Sequence, residues 1–530
     1  MHVLKNASRR LFLHRASALS ALYGAAAPMA LNLSALGTAA AQSAGDYKAI
    51  VCLFFFGGND AFNMVLPTDT ASFAAYTSTR NQAPDPINLL APGTAPNPAA
   101  AAGTPARLGG VLPLSVLNPQ SRSFALHPVM TSLKTLFETD RRLAVLPNIG
   151  PLIMPTSKVQ YGQSSFPKPA RLFSHNDQQN TWLALGPEGA TLGWGGRIAD
   201  AMLGSNSRAV FTGVSASGNS VWLAGNQVNP YQVSSNGAIA LGVDSAGRVY
   251  NSATVGATLQ RLVASSRSTH LFEADAAVVG QRSIGAEQLL RTALRPASDA
   301  SFGTAPASGT YNVSNDPKLR YLNPLTGLTA ANTLAQQFQV VARMIDAGMN
   351  PAAGLGVRRQ VFFVSMGGFD THDGQNRSQA DLCARIDQAL QYFDTALGNI
   401  NARNNVTTFT ASDFGRTFTS NGDGTDHGWG SHHVVMGGAV KGGDLYGTFP
   451  TLGLKNANDN YFNSSPDQLA NGALLPTTSV DQLGATLARW FGLNDSQILG
   501  VFPNLANFDL SKRDLGFFVS PAIAASKRQG

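Results

Sequence analysis

The sequence predicts a doubly wound α/β fold on a mostly parallel sheet. Three observations carry that expectation. Short continuous apolar runs recur along the chain, as strands buried on both faces of a parallel sheet require. Between several of them, apolar residues return at helical spacing. Glycine-rich loops carrying Asp and His follow the runs, where open α/β sheets bind ligands. Composition agrees. Of 530 residues, 44% are hydrophobic, 13% are charged and 53 are Gly. Charge density is thus about half the usual ~25%, and the apolar content suffices for a large core without disulfide or metal staples.

The N-terminus reads as an export signal. Residues 1–41 contain Lys5, Arg9, Arg10 and Arg15 but no Asp or Glu. Arg9-Arg10 precede Leu11-Phe12-Leu13, a weakly hydrophobic stretch runs to Leu36, and Ala39-Ala40-Ala41 ends it. Basic region, apolar region and small-residue cleavage site are the three parts of a signal peptide, and the arginine pair specifies the twin-arginine route. Such substrates cross the membrane folded, so the mature protein is expected in the periplasm or secreted. Its only membrane contact would be the export machinery, since no later run reaches ~18 apolar residues. Cleavage would remove four basic and no acidic residues, taking the net charge from +7 to +3. With no basic patch interleaved with aromatics elsewhere, a nucleic-acid partner is not expected.

The rest (42–530) reads as one α/β domain with insertions. The run Ala49–Phe56 is the first strand and ends at Gly57-Gly58. Residues 84–107, rich in Pro and Ala, read as a surface insertion or mobile loop. Leu143–Leu146 is a second strand. A helix follows Ser174 and ends near Leu185. Residues 208–255, with Ser, Asn and Gly turns between short alternating segments, suggest a small β-rich cap. Residues 296–317, rich in Ala, Ser, Gly and Pro, likewise read as a surface insertion or mobile loop. Leu334, Phe338, Val341 and Ile345 then mark a helix, Val361–Met366 a strand, and Leu382, Ile386, Leu390, Phe393 and Leu397 another helix. Val406–Ala411 and His433–Met436 are strands. Ser479 with Gln482 forms a capping box opening a last helix through Leu483, Leu487 and Trp490. Cys52 and Cys383 sit at core-like positions and read as buried free thiols rather than a bridge.

Candidate chemistry lies at the strand ends. Asp60 follows the first strand. Asp370 and His372 follow the Val361 strand, two apart and so on one side of an extended segment. Asp413 follows the Val406 strand, and His427 sits in Asp423-Gly424-Thr425-Asp426-His427-Gly428. Hard oxygen and borderline nitrogen donors on rigid strand ends suit a divalent metal such as zinc, calcium or manganese. Each residue also has a plainer reading: Asp60 and Asp413 as turns or caps, the 423–426 loop as a polar turn. Arg416 and Lys441 are candidate grips for an anionic substrate group, or surface charges. Ser174 is a candidate nucleophile at a helix N-terminus, or a simple helix cap, and His175 beside it a candidate catalytic partner. There is no Gly-x-Ser-x-Gly elbow and no His-Glu-x-x-His, which argues against an ordinary α/β-hydrolase esterase and the common zinc peptidases.

Several motifs together resemble a twin-arginine-exported bacterial family, the "domain of unknown function 1501". They are Phe56-Gly-Gly-Asn-Asp60, Ala125-Leu-His127-Pro128, Ser174-His175, Gly368-Phe-Asp370-Thr-His372, Ser412-Asp-Phe-Gly-Arg416, Thr425-Asp-His427-Gly428 and Gly437 through Gly447. That family is similar in fold to the alkaline phosphatase and sulfatase superfamily. The resemblance implies that Asp60, Asp370, His372, Asp413 and His427 hold metal and that Ser174 occupies the nucleophile position. It departs at Phe414, where the phosphatases have His, so a single metal or a degenerate site is as compatible as a two-zinc site. The expected function is therefore an exported metal-dependent hydrolase of a phosphate or sulfate ester, small or polymeric. The alternative is a non-catalytic periplasmic protein that binds or assembles with a protein partner.

Overall fold

The computed structural model describes residues 47–235, 237–238, 248–249, 251–265 and 270–519. The expected export signal lies outside them. Nine strands form the main sheet: β1 (Lys48–Phe55), β2 (Leu143–Gly150), β3 (Gly213–Ser215), β4 (Tyr231–Ser234), β5 (Gly237–Ala238), β6 (Arg359–Met366), β7 (Val406–Ser412), β8 (Ser431–Met436) and β9 (Thr478–Ser479). Across the sheet the order is β9-β2-β8-β7-β1-β6-β3-β4-β5. β1 lies at the centre, parallel to both β6 and β7. β8 runs antiparallel to both of its neighbours, and β5 antiparallel to β4. The expected mostly parallel α/β sheet is what the chain forms.

Seven helices frame the sheet and the site: α1 (Thr70–Arg80), α2 (Thr131–Glu138), α3 (His175–Ala184), α4 (Trp194–Met202), α5 (Thr333–Met349), α6 (Gln375–Asn399) and α7 (Val480–Phe491). The side chains of β1 alternate between two cores. Val51, Leu53 and Phe55 pack with Leu133 of α2, Phe338 of α5 and Ile386 of α6. Ile50, Cys52 and Phe54 pack with Trp182 of α3, Ile198 of α4 and Leu487 of α7. Period-2 alternation into apolar layers on both sides explains why β1 reads as an unbroken apolar run. It also keeps Cys52 and Cys383 in different cores; both are buried and free, as expected. The capping box opening α7 is present, with Ser479 and Gln482 closing it reciprocally.

Two of the expected insertions join the main fold. Among the described residues of 208–255, β3 and β4 extend the main sheet, pairing parallel beyond β6. Residues 296–317 pack against α5. Phe302 is buried in the core, and Gln339 of α5 donates to the carbonyls of Ala297 and Phe302. Their Ala, Ser and Gly content hid that anchoring.

Candidate functional site

The carboxyl ends of β1, β6 and β7 meet at one edge of the sheet, and the loops beyond them build the site. Gly57, just past β1, sets the spacing. Its φ is +114°, and a Cβ there would lie 2.4 Å from the Asp370 backbone nitrogen. Only glycine permits both the conformation and the approach. The Gly57 N–H donates to Asp413 Oδ2 at 3.0 Å, and its carbonyl accepts from Arg416 at 3.2 Å. One peptide segment thus ties together the loops after β1, β6 and β7.

Three of these residues converge. A nitrogen of His175, a nitrogen of His427 and a carboxylate oxygen of Asp370 all lie within 4.8 Å of one another. His175 Nε2 is 3.4 Å from Asp370 Oδ2, and His427 Nε2 is 3.3 Å from Asp370 Oδ1. The far side of each ring is held. His175 Nδ1 meets Asp413 Oδ2 at 2.8 Å, and His427 Nδ1 meets the carbonyl oxygen of Phe173 at 2.8 Å. A carbonyl can only accept, so His427 Nδ1 carries the proton and Nε2 presents its lone pair. Asp413 Oδ2 also accepts from Gly57, so it too acts as the acceptor toward His175. Carboxylate or carbonyl backing of the second ring nitrogen is how metal-binding histidines are oriented. His372 adjoins them: its Nε2 is 2.9 Å from His427 Nε2 and 3.1 Å from Asp370 Oδ1.

Electrostatics fit the same arrangement. Burial, together with repulsion from Arg416 and His175, holds His427 below its ordinary pKa despite the Phe173 carbonyl and Asp370. It is therefore neutral near pH 7, as a ligand must be. Burial opposes ionisation of Asp370, but Arg416, His372 and His175 outweigh it and keep its carboxyl below the usual range. Burial raises Asp413, offset in part by His175 and the Gly57 N–H. Asp413 Oδ1 is buried with no hydrogen-bond partner. The buried ring of Phe414 packs against His175 and His427, with centroids 4.8 and 4.6 Å away. A residue that could have been another donor instead makes an apolar floor.

Other expected site residues fall differently. Asp60 is consumed by structure: Arg80 of α1 grips both its oxygens, at 2.5 and 3.0 Å, Gln375 donates to Oδ2 at 2.5 Å, and Phe62 N–H donates to Oδ1. Both side chains of the Asp60–Arg80 pair are 0% exposed. Arg416 is buried as well, and its guanidinium holds Asp370 Oδ1 at 2.6 Å and Thr425 rather than open space. Lys441 lies at the other edge of the sheet. β8 runs antiparallel, so the loop after it emerges beside Arg142, at the start of β2. Lys441 is exposed there, its backbone N–H bonded to the Phe517 carbonyl. Ser174 is the N-cap residue of α3, and its hydroxyl donates to Asp177 Oδ2 at 3.1 Å. Its two chain neighbours, Phe173 and His175, both touch the cluster.

Three participants carried no sequence signal of their own. Gln375 accepts from Thr371 and Thr425 while donating to Asp60, which locks two loops to each other. Arg80 ends α1, a helix with no other charged residue. Phe173 adopts a φ of +72°, which aims its carbonyl at His427. Such a conformation is rare for an aromatic residue.

A family model described as "Protein of unknown function (DUF1501)" matches residues 321–502, agreeing with the family the motifs resemble. That span holds Asp370, His372, Asp413 and His427 but not Ser174 or His175. No curated protein matches the chain. Among solved structures, it is similar to a sulfatase-related protein described under the metabolism of multiple glycosaminoglycans by Bacteroides thetaiotaomicron. The two share 11% identity over 85% of this chain and 74% of that one, with a TM-score of 0.30.

Proposed function

We propose that the protein is an exported, metal-dependent hydrolase of phosphate or sulfate esters, on an alkaline phosphatase-like α/β domain spanning residues 42–530. The periplasm or the cell exterior is its proposed location, reached through the 1–41 leader. The observation that carries the reading is the convergence of His175 and His427 on Asp370, each ring with its Nδ1 side committed to a protein acceptor. Ring nitrogens turned toward a shared carboxylate, each ring held by an acceptor on its other side, suit a divalent cation. His175, Asp370 and His427 would hold it, with His372 beside them as a further donor. Such a cation supplies charge neutralisation for the ester's anionic oxygens.

The chain's own groups cover the remaining roles. Ser174 is the proposed nucleophile, and Asp177 is the acceptor already bonded to its hydroxyl proton. Attack of Ser174 Oγ on the phosphorus or sulfur breaks the ester bond to the alcohol oxygen. That oxygen leaves with the bonding pair and takes a proton, and water then releases the acid and restores the serine. In sum, ester and water give acid and alcohol. Asp413 holds His175 in place, and Arg416 holds Asp370. The test is metal analysis of the mature protein, with turnover of aryl phosphates and sulfates in the presence of zinc, manganese, calcium or magnesium. Stoichiometric metal that is lost in His427→Ala and Asp370→Ala, with turnover lost in Ser174→Ala, is the expected result. A metal-free protein inactive under every condition would overturn the reading and favour the non-catalytic binding alternative.

A further inference from the structure

A cavity of 550 Å³ opens beside the cluster, with His427 forming part of its wall. That volume is in the range of small-molecule pockets, ~300–1,000 Å³. Two larger cavities exist among the described residues, but neither is lined by His175, Asp370 or His427. Tyr161, Phe173 and Tyr461 line this one, with Leu469 and Ala470. Tyr161 and Phe173 also pack on the buried cluster of Trp429, Leu469 and Ala473, which gives the cavity a rigid apolar base. The left-handed turn at Phe173 couples the two regions, since the residue whose carbonyl orients His427 also lines the cavity.

The residues around this space specify what it takes. Lys158 lines the cavity, but its ammonium donates to the carbonyls of Phe462 and Ser465 at 2.8 and 3.0 Å. Asp426, which also lines it, has a carboxylate oxygen 3.3 Å from His372 Nδ1. The aromatic residues in its wall favour a ring on the occupant, through stacking and apolar burial. We propose that this cavity binds the aromatic ring of the ester's leaving alcohol, while the anionic end lies at His175, Asp370 and His427. The inference rests on the ester-hydrolase reading of that cluster, and it narrows the substrate class to esters whose alcohol part is an aromatic ring.

Direct binding separates the two ideas. 2-Naphthol, a neutral ring, is titrated into the purified full-length protein by calorimetry, with no ester present. Ala470→Trp fills the mouth of the cavity from an exposed position, and Tyr461→Ala removes an exposed part of its wall. Each variant is expected to weaken naphthol binding roughly tenfold, the effect of losing about 50 Å² of apolar contact. The ratio of kcat/KM for 2-naphthyl phosphate over methyl phosphate should fall by a similar factor. Naphthol binding that both variants leave unchanged, or no naphthol binding at all, overturns the proposal. Naphthol binding that both variants weaken, without turnover of any ester, supports the cavity assignment and sinks the hydrolase reading instead.

Discussion

Replacing Asp60 by Asn asks whether this carboxylate serves the fold or a metal. The Arg80 guanidinium is fully buried and spends all its nitrogens on protein acceptors: Asp60, Asn63 Oδ1 and the carbonyls of Thr417 and Phe418. A neutral amide at this position would leave that cation buried without its counter-charge. Breaking one partner of such a pair costs ~3–5 kcal/mol, because the remaining ion keeps its desolvation penalty. A 530-residue chain has a melting entropy of roughly 1 kcal/mol per kelvin, so Tm should fall by about 3–5 °C. Pairing Asp60→Asn with Arg80→Met removes both charges and should recover part of that loss. Scanning calorimetry gives the shifts, and metal analysis of the same samples should give unchanged stoichiometry. An Asp60→Asn protein with wild-type Tm and no bound metal would refute the reasoning and return Asp60 to the metal site.

Asp413→Asn keeps an acceptor for Gly57 but weakens the grip on His175, so metal affinity in a chelator competition should fall ~10–100-fold with little change in Tm. Gly57→Ala meets both a φ of +114° and a contact 2.4 Å from the Asp370 nitrogen. It should cost at least ~2 kcal/mol in denaturant unfolding and lower metal affinity too; an unperturbed variant would mean the loops are not packed as described. Asp481, pushed by burial from an ordinary 3.8 to about 6, gives stability a pH dependence. Its neutral form fits the fold, so the contribution is intact below pH ~4 and is lost as pH rises to ~6, of order 3 kcal/mol in all. Urea midpoints of Asp481→Asn should be flatter across that window than those of the wild type.

What the sequence could and could not reveal divides along physical lines. β1, β6 and β7 were legible because burial on both faces demands unbroken apolar runs. The loops after them were legible because Asp and His in glycine-rich turns are conspicuous in a chain so poor in charge. That reasoning pointed to Asp370, His372, Asp413 and His427 at one edge of the sheet, and their side chains do gather there. It did not foresee partners that are distant in sequence. Lys441 follows a strand like the others, but the direction of β8 is set by its pairing with β2 and β7, which local pattern does not encode. Asp60 looks like any other strand-end carboxylate until Arg80, twenty residues on, swings back from the end of α1. His175 looked like a companion to Ser174, and its ring reaches Asp370 only because α3 begins where the Phe173 backbone turns left-handed.

Phe414 bears directly on how many metals the site can hold. It lies between two histidines of the cluster and offers no donor of its own. Its ring fills the space under His175 and His427, and Gly58 above it has no side chain because a Cβ there would lie 2.4 Å from that ring. Phe414 and Gly58 are thus fitted to each other. With Asp60 turned to Arg80 and Phe414 serving as floor, two of the donors a second cation would draw on have structural work instead. What is left, His175 and His427 around Asp370 with His372 beside them, would suit a single ion. A measured stoichiometry near one is the expected result, and a value near two would overturn the single-ion reading.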